Sequence, residues 1–261
     1  MPLTIVLVHG AFAGSASWEG VIELLHAAGH RAITAANPLR GLAADATAVS
    51  DLIHTLDGPV ILVGHSYGAA VISNVDAAAG HIVGLVYVAG FAPAPGESCI
   101  TLVGMFPGST LGATLQPVLR SDGATDLSIR VDRFHDQFAG DLPAARAARM
   151  AATQRPVTQE ALGAPSGERP LWSEYPSWFV FGDEDRTIPA ALGRYMAERA
   201  GARRAIEIPG ASHAIPVAHP EATADLILAA AAMRWPTGDS EGDNRGAHGR
   251  HPPVIVGLPR P

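Results

Sequence analysis

Short apolar runs alternate with stretches of helical periodicity along the first 90 residues and again after residue 176. Strands are expected at Leu3–Val8, Arg31–Ala35, Val60–Val63, Val83–Val88, Trp178–Phe181 and Ala205–Ile208. Helices are expected at Ser17–Ala28, Ala43–Leu56, Tyr67–Ala79, Ala190–Ala200 and Pro220–Arg234. Several of the strands are continuously apolar, which is typical of strands covered on both faces. This alternation predicts an α/β fold with a mostly parallel, doubly wound sheet.

The alternation stops at residues 91–176, where proline and glycine are frequent and aromatic and methionine side chains are scattered. A segment of this length needs packed elements of its own, and Leu142–Met150 has a helical composition. We therefore predict a helical cap at 91–176, inserted into a core of 1–90 and 177–235. Residues 236–261 are polar and glycine-rich, and we expect a largely disordered tail.

One pentapeptide, Gly64-His65-Ser66-Tyr67-Gly68, lies between an apolar run and a run of small residues. The pattern G-x-S-x-G at a strand-to-helix turn is typical of a nucleophile elbow. In such a turn the serine takes a strained, positive-φ conformation, and the crowding around it favours glycine two positions to either side. We predict Ser66 as a nucleophile; the alternative is a glycine-rich turn with an incidental serine.

A serine hydroxyl needs a positioned base to act as a nucleophile near neutral pH. His213 follows the last predicted strand of the core, and loops at the carboxyl ends of parallel strands converge on one crevice. We therefore predict His213 as the base, with His219 as its closest rival. His65 is interpreted as a packing or hydrogen-bonding group, and His9 as a loop or surface residue.

An acidic group is needed to orient the imidazole of the base. Asp183 and Asp185 both lie in the loop after the predicted strand Trp178–Phe181, ahead of His213 in the chain. Either gives the order Ser, Asp, His, which is typical of α/β-hydrolases. The residues alone do not separate the two carboxylates, and each could instead cap the helix that follows.

Acyl transfer also needs N–H donors directed at the developing oxyanion. One is expected from Tyr67, the residue after the nucleophile. A second is expected from the glycine-rich loop His9–Gly14 after the first strand. Neither G-x-G-x-x-G nor a P-loop pattern occurs in that loop, so a nucleotide-binding interpretation is weak.

Composition narrows the classes of partner and chemistry. The net charge is −7, and all 18 basic residues are arginine, so nucleic acid is not an expected partner and lysine chemistry is excluded. Cys99 is the single cysteine and has no metal-ligand spacing around it. We expect no metal and no cofactor.

No apolar run is long enough for a membrane span and no signal segment precedes the first strand, so we expect no membrane insertion and a cytoplasmic protein.

The chain resembles the α/β-hydrolase superfamily, and more narrowly the small bacterial esterases related to plant methyl esterases and hydroxynitrile lyases. The resemblance covers about residues 3–235 and rests on Val8-His9-Gly10-Ala11 with Trp18, Val63 to Ala69, Val86 to Phe91, Asp185 to Pro189, and Gly210 to His213. It implies a triad of Ser66, His213 and Asp185. It also implies that the N–H groups of Ala11 and Tyr67 form the oxyanion hole.

The chain departs from the lyases of this group at two positions. Those lyases carry a lysine directly after the catalytic histidine and a threonine after the histidine of the first loop, where this chain has Ala214 and Gly10. The resemblance therefore favours hydrolysis of a small carboxylic ester over cyanohydrin cleavage. The alternatives are a cofactor-free lyase, cyclase or perhydrolase-like enzyme, or a non-catalytic small-molecule binding protein.

The apolar composition of the predicted cap indicates an uncharged or aromatic ligand. We assign Phe12, Trp172 and Phe134 to the substrate pocket as a prediction. The oligomeric state is not indicated by any pattern in the chain.

Overall fold

In the computed structural model, which describes residues 2–233 and 255–257, the predicted alternation forms one large parallel sheet. The strands are β1 (Thr4–Val8), β2 (Arg31–Ala35), β3 (Pro59–His65), β4 (His81–Val88), β5 (Leu115–Leu119), β6 (Thr125–Ile129), β7 (Val157–Thr158), β8 (Ser177–Gly182), β9 (Arg204–Ile208) and β10 (Ile255–Gly257). The large sheet has the order β10-β9-β8-β4-β3-β1-β2, with parallel neighbours throughout. All six predicted strands are present, with ends displaced by at most two residues.

The helices occupy the intervals between these strands. They are α1 (Glu19–Ala27), α2 (Leu42–Ile53), α3 (Tyr67–Ser73), α4 (Cys99–Val103), α5 (Leu111–Thr114), α6 (Phe134–Phe138), α7 (Ala144–Thr153), α8 (Gln159–Gly163), α9 (Ala190–Arg199), α10 (Ile215–Ala218) and α11 (Pro220–Ala231). Helix α3 ends six residues before the predicted Ala79, because Asp76 begins a separate 3₁₀ turn by accepting a hydrogen bond from Ala78 N–H. No helix among the described residues is long and apolar enough to cross a membrane.

Helices cover both faces of the large sheet. Along β3, Val60 and Leu62 pack into one apolar layer with α2, α3 and α9. Ile61 and Val63 pack into the opposite layer with α1 and α11. Burial on both faces explains why the central strands are continuously apolar.

The carboxyl ends of the parallel strands carry the candidate active-site residues. Ala11 follows β1, Ser66 follows β3, Asp185 follows β8 and His213 follows β9. Since the strand order is β9-β8-β4-β3-β1, these four residues lie at one edge of the sheet. The topology therefore collects groups that are up to about 200 residues apart in the chain.

The segment 91–176 contains five α-helices and also an antiparallel sheet of order β5-β6-β7 that was not predicted. The β5–β6 hairpin closes through Arg120 N–H donating to Ala124 O, around Gly123 with φ +86°. Buried Leu127 and Ile129 alternate with polar neighbours in β6, a period-2 pattern that the sequence does contain. The boundaries of cap and core remain our proposal.

The predicted tail, 236–261, lies outside the described residues except for β10. That strand pairs in parallel with β9 and forms an edge of the large sheet. A strand at this position was not part of the prediction.

Candidate active site

Ser66 occupies a tight turn between β3 and α3. Its backbone has φ 54° and ψ −123°, the strained conformation that the pentapeptide predicts. A Cβ at Gly68 would lie 2.5 Å from Val8 O, and one at Gly64 would collide with the backbone of Ala69. Both glycines are therefore required by the close approach of neighbouring backbone.

His213 and Asp185 form a hydrogen-bonded pair that is sealed from solvent. His213 Nδ1 lies 2.6 Å from Asp185 Oδ2, and both side chains are fully buried. The other carboxylate oxygen accepts from the N–H groups of Thr187, at 2.7 Å, and Ile188, at 2.9 Å. Because the carboxylate is an acceptor, Nδ1 carries the proton and Nε2 of a neutral ring is left as an acceptor.

The other acidic candidate points elsewhere. Asp183 is exposed, and its Oδ1 accepts a hydrogen bond from Gly210 N–H at 2.5 Å. Among the described residues, no hydrogen bond or ion pair joins Asp183 to His213. The structure thus brings Asp185, and not Asp183, to the imidazole.

The rival base His219 has a different set of partners. Its Nε2 lies 2.8 Å from Asp141 Oδ2, and Asp141 Oδ1 accepts from Ser212 Oγ at 2.5 Å. Burial raises the pKa of Asp141, but the hydrogen bonds from His219 and Ser212 outweigh it and hold the pKa below its usual value. Nothing joins His219 to Ser66. Within residues 2–233 and 255–257, no three His, Cys, Asp or Glu side chains form a group that could hold a metal ion.

Two rings enclose His213. The ring of Phe138 meets it edge-on at 4.8 Å, and the ring of His65 lies 4.9 Å away. His65 Nε2 donates to His213 O at 3.0 Å, which agrees with its interpretation as a hydrogen-bonding group. Burial, and then the neighbouring His213, hold the pKa of His65 well below its usual value. His65 is therefore neutral, and Phe138 is a site residue that no local pattern indicated.

His213 Nε2 is buried and has no hydrogen-bond partner, so it is not bonded to Ser66 Oγ in this structure. Ser66 itself is 4% exposed. Two cavities, of about 620 and 210 Å³, are lined mainly by residues of 91–176, and neither is lined by Ser66 or His213. Ser66 and His213 are therefore almost fully shielded from solvent. A hydrogen bond between a catalytic base and its nucleophile often forms only once substrate is bound.

The segment His9–Phe12, here called the oxyanion loop, lies against Ser66. A Cβ at Gly10 would be 2.6 Å from Ser66 Cβ and 3.3 Å from its Oγ. Within the described residues, neither Ala11 N–H nor Tyr67 N–H has a hydrogen-bond acceptor. The two unpaired donors are thus close to the serine in the chain or in space: Tyr67 follows Ser66, and Ala11 follows Gly10, which lies against Ser66. Unpaired N–H groups next to a nucleophile are what an oxyanion hole requires.

His9 lies in the loop after β1, as expected, but it is fully buried and therefore not a surface residue. Its Nδ1 lies 2.9 Å from Gly10 O, its Nε2 lies 2.9 Å from Arg155 Nη1, and its carbonyl accepts from Asn37 Nδ2 at 2.9 Å. Burial, and to a lesser extent Arg155, lower the pKa of His9. His9 is part of the support of the oxyanion loop.

The side chain of Tyr67 is anchored away from the reaction centre. Its hydroxyl donates to Asp45 Oδ2 at 2.7 Å, and both residues are buried. Burial and the Asp45 carboxylate both raise the pKa of Tyr67. This bond ties the start of α3 to α2 and fixes the residue that carries one candidate donor.

Aromatic rings lie next to the His213 side of the site. The rings of Phe12 and Phe138 meet edge-on at 6.5 Å, and those of Phe134 and Phe138 lie 5.0 Å apart. Since Phe138 contacts His213, the predicted pocket residues Phe12 and Phe134 are one ring removed from the imidazole.

The third predicted pocket residue is placed differently. Trp172 Nε1 donates to Pro93 O at 2.8 Å, and the Arg199 guanidinium lies 5.3 Å from the ring centre. No ring contact or hydrogen bond joins Trp172 to Ser66 or His213, so the structure does not bring it to the site.

Comparisons with known proteins agree with this fold. The model of the alpha/beta hydrolase family matches residues 5–226. A pyrethroid hydrolase of Sphingobium wenxiniae is 31% identical over 85% of each chain. Methylesterase 8 of Arabidopsis thaliana is 26% identical over 87% of this chain and 88% of its own. The solved structure of an extracellular alpha/beta-hydrolase from a Paenibacillus species has a TM-score of 0.73 at 26% identity, covering 88% of this chain and 99% of that one. The chain belongs to the alpha/beta hydrolase family.

Proposed function

We propose that the protein is a serine esterase, which cleaves a carboxylic ester of a small, largely apolar substrate through an acyl-enzyme intermediate. The observation that carries the proposal is the buried pair of His213 and Asp185 at the same sheet edge as Ser66 in its strained turn. Relatives named as a pyrethroid hydrolase and a methylesterase support ester hydrolysis as the reaction class.

Each residue then has one role in the reaction. Ser66 Oγ attacks the acyl carbon while His213 Nε2 takes its proton, and Asp185 holds the imidazole and stabilises its cation. The N–H groups of Ala11 and Tyr67 bind the oxyanion. His213 returns the proton to the departing alcohol, and water repeats the two steps on the acyl-enzyme. The cycle uses no cofactor and no metal.

The surroundings of the serine favour hydrolysis over lyase chemistry. Gly10 lies so close to Ser66 that a side chain at that position would displace the serine or the loop. Ala214 follows the proposed base, and the chain contains no lysine that could stabilise a departing anion there. Besides Ser66, His213 and Asp185, the proposed mechanism needs only water and the oxyanion donors.

The proposed substrate pocket is apolar and aromatic. Phe12 and Phe134 adjoin the Phe138 ring on His213, which suits an acyl or alcohol group with little polarity. Trp172 stays a prediction that no contact to the site supports. We further propose that the partner is a small molecule and that the protein acts in the cytoplasm.

The direct test is the hydrolysis of short aryl esters by the wild type and by Ser66→Ala. We expect Ser66→Ala to lose at least about 10³-fold in kcat, because the nucleophile is removed. Ser173→Ala, an exposed serine outside the site, is the matched control and should keep the wild-type rate. Wild-type hydrolysis by Ser66→Ala would contradict the proposal. Carbon–carbon or carbon–halogen chemistry without esterase activity would instead favour the non-hydrolytic alternative.

A further inference from the structure

One residue of the segment 91–176 reaches the oxyanion loop through both its side chain and its backbone. Arg155 Nη1 donates to His9 Nε2 at 2.9 Å and to Asn37 O at 2.8 Å. Arg155 O accepts from Phe12 N–H at 3.1 Å. The first and last residues of the oxyanion loop are therefore held by the same residue.

A guanidinium suits this arrangement because it can donate to several acceptors at once. It has donors and no acceptor, so His9 Nε2 must be an acceptor and the ring must be neutral. The single ring proton is then on Nδ1, which donates to Gly10 O at 2.9 Å. Arg155 thus selects the tautomer of His9 and, through it, fixes the carbonyl of Gly10. The peptide that starts with this carbonyl ends in Ala11 N–H, the proposed oxyanion donor.

The position of Arg155 is in turn set by the cap. Its neighbour Gln154 donates from Nε2 to Ile129 O at 2.8 Å and accepts from Ile129 N–H at 2.9 Å. Ile129 ends β6, so the Arg155 backbone is fastened to the small antiparallel sheet. A displacement of that sheet would withdraw Arg155 from His9 and Phe12 together.

We propose that Arg155 is a positioning residue: it holds the oxyanion hole in its working geometry only while the cap is closed over the site. The inference rests on the proposed esterase function. Because Ser66 is only 4% exposed and His213 is fully buried, substrate entry then requires the cap to move, and the Arg155 contacts re-form when the cap returns. The oxyanion donor Ala11 N–H is then correctly oriented only while substrate is enclosed, as in other enzymes whose lids complete the catalytic site.

The test compares Arg155→Met and Arg155→Lys with the wild type on a short aryl ester. We expect Arg155→Met to lower kcat about 10²-fold, the cost of losing one oxyanion donor, with KM changed by less than about threefold. Affinity for a trifluoromethyl ketone, which forms the tetrahedral adduct, should fall in parallel with kcat. Affinity for the product alcohol should stay unchanged. Lysine, with one compact charge, should recover only part of the loss.

Arg199→Met is the matched control, since Arg199 is also a bridging arginine. Arg199 donates to Ala92 O at 2.7 Å and to Glu97 at 2.8 Å, outside the oxyanion loop. It should lower Tm without changing kcat or the affinity for the ketone.

The outcomes separate the inference from the function on which it rests. A wild type without esterase activity overturns both. An active wild type with wild-type kcat and ketone affinity in Arg155→Met overturns the inference alone. Equal losses of affinity for the ketone and the alcohol would show a general structural role and overturn it as well. If Arg155→Met does not fold, Arg155→Lys provides the same comparison.

Discussion

Two groups of residues meet at Ser66, the proposed nucleophile: the base with its acid, and the oxyanion loop. They are held in place by largely different parts of the chain. On the base side, Asp185 is fixed by N–H groups of its own loop, and His213 O accepts from His65 beside the nucleophile. These contacts lie within residues 1–90 and 177–235, and the segment 91–176 adds the Phe138 ring on His213 and the Asp141 carboxylate on Ser212. On the oxyanion side, the loop depends on Arg155, a residue of the proposed cap.

A hydrolase must combine proton transfer with stabilisation of the oxyanion, and in this chain the two tasks have different structural supports. The proposed proton-transfer groups are held mainly by each other and by their own loops, with the Phe138 ring as a contact from 91–176. The proposed oxyanion loop, in contrast, is held at both ends by Arg155 of the proposed cap. Under the proposed function, attack on an ester is then favoured when the site is closed and water is excluded, where hydrogen bonds to an oxyanion are worth most.

The largest effect is expected from the base itself. His213→Gln removes the group that accepts the serine proton, and we expect kcat to fall by about 10⁶-fold, measured by ester hydrolysis. His219→Gln is the control, since His219 has its own pair with Asp141 and should stay within about threefold of the wild type. Comparable losses in both variants would contradict the assignment of the base.

The next largest effect is expected from Asp185→Asn. The asparagine Oδ1 would keep accepting from the backbone N–H groups, which directs its NH₂ at His213 Nδ1. Nδ1 must then be an acceptor, so the proton moves to Nε2 and the base is blocked. We expect a loss of about 10⁴-fold in kcat. The matched variant Asp183→Asn should retain activity. A larger loss of kcat in Asp183→Asn than in Asp185→Asn would contradict the assignment of Asp185.

On the oxyanion side, Gly10→Ala should have a smaller effect. The new methyl group would meet Ser66 Cβ at 2.6 Å and His65 O at 2.8 Å, so the loop has to shift. We expect kcat to drop about 10²-fold while Ser66 stays reactive. Gly112→Ala, where a Cβ meets nothing within 4 Å, controls for the loss of glycine. Unchanged kcat in Gly10→Ala would show that the loop tolerates displacement.

The smallest effect concerns stability on the base side. The pKa of His65 is well below 6.5 in the folded chain, so below about pH 6.5 the unfolded chain binds a proton that the folded chain does not. The free energy of unfolding therefore falls as pH falls, by at most about 1.4 kcal/mol per pH unit for this group. We expect His65→Gln to flatten that dependence in urea unfolding between pH 7 and pH 5. His54→Gln, at an exposed histidine, is the control and should leave the slope unchanged. Equal slopes for the wild type and His65→Gln would show that His65 does not cause the pH dependence.

Local patterns in the sequence predict the large sheet and part of the site. Ser66 is indicated by a five-residue pattern, and His213 by its position after a strand. Asp185 is separated from Asp183 only by the resemblance to a family, because the two carboxylates share one loop. Their different directions become visible only in three dimensions.

The remainder depends on contacts between distant segments. Arg155 meets His9 across 146 residues and Asn37 across 118, and no spacing in the sequence indicates either contact. Phe138 belongs to a helix of five residues in the irregular segment, too short for a periodic signal. Apolar and polar residues do alternate in β6, but the proline in β5 and the loops around these two strands obscure the pattern.

The most direct test of the central claim is to identify the residue that an active-site probe modifies. A fluorophosphonate should add once to the active protein, and peptide mass spectrometry should place the adduct on Ser66 in parallel with loss of ester hydrolysis. Ser66→Ala should take up no probe. An active protein that hydrolyses esters while Ser66 stays unmodified, or that carries the adduct elsewhere, would contradict the account.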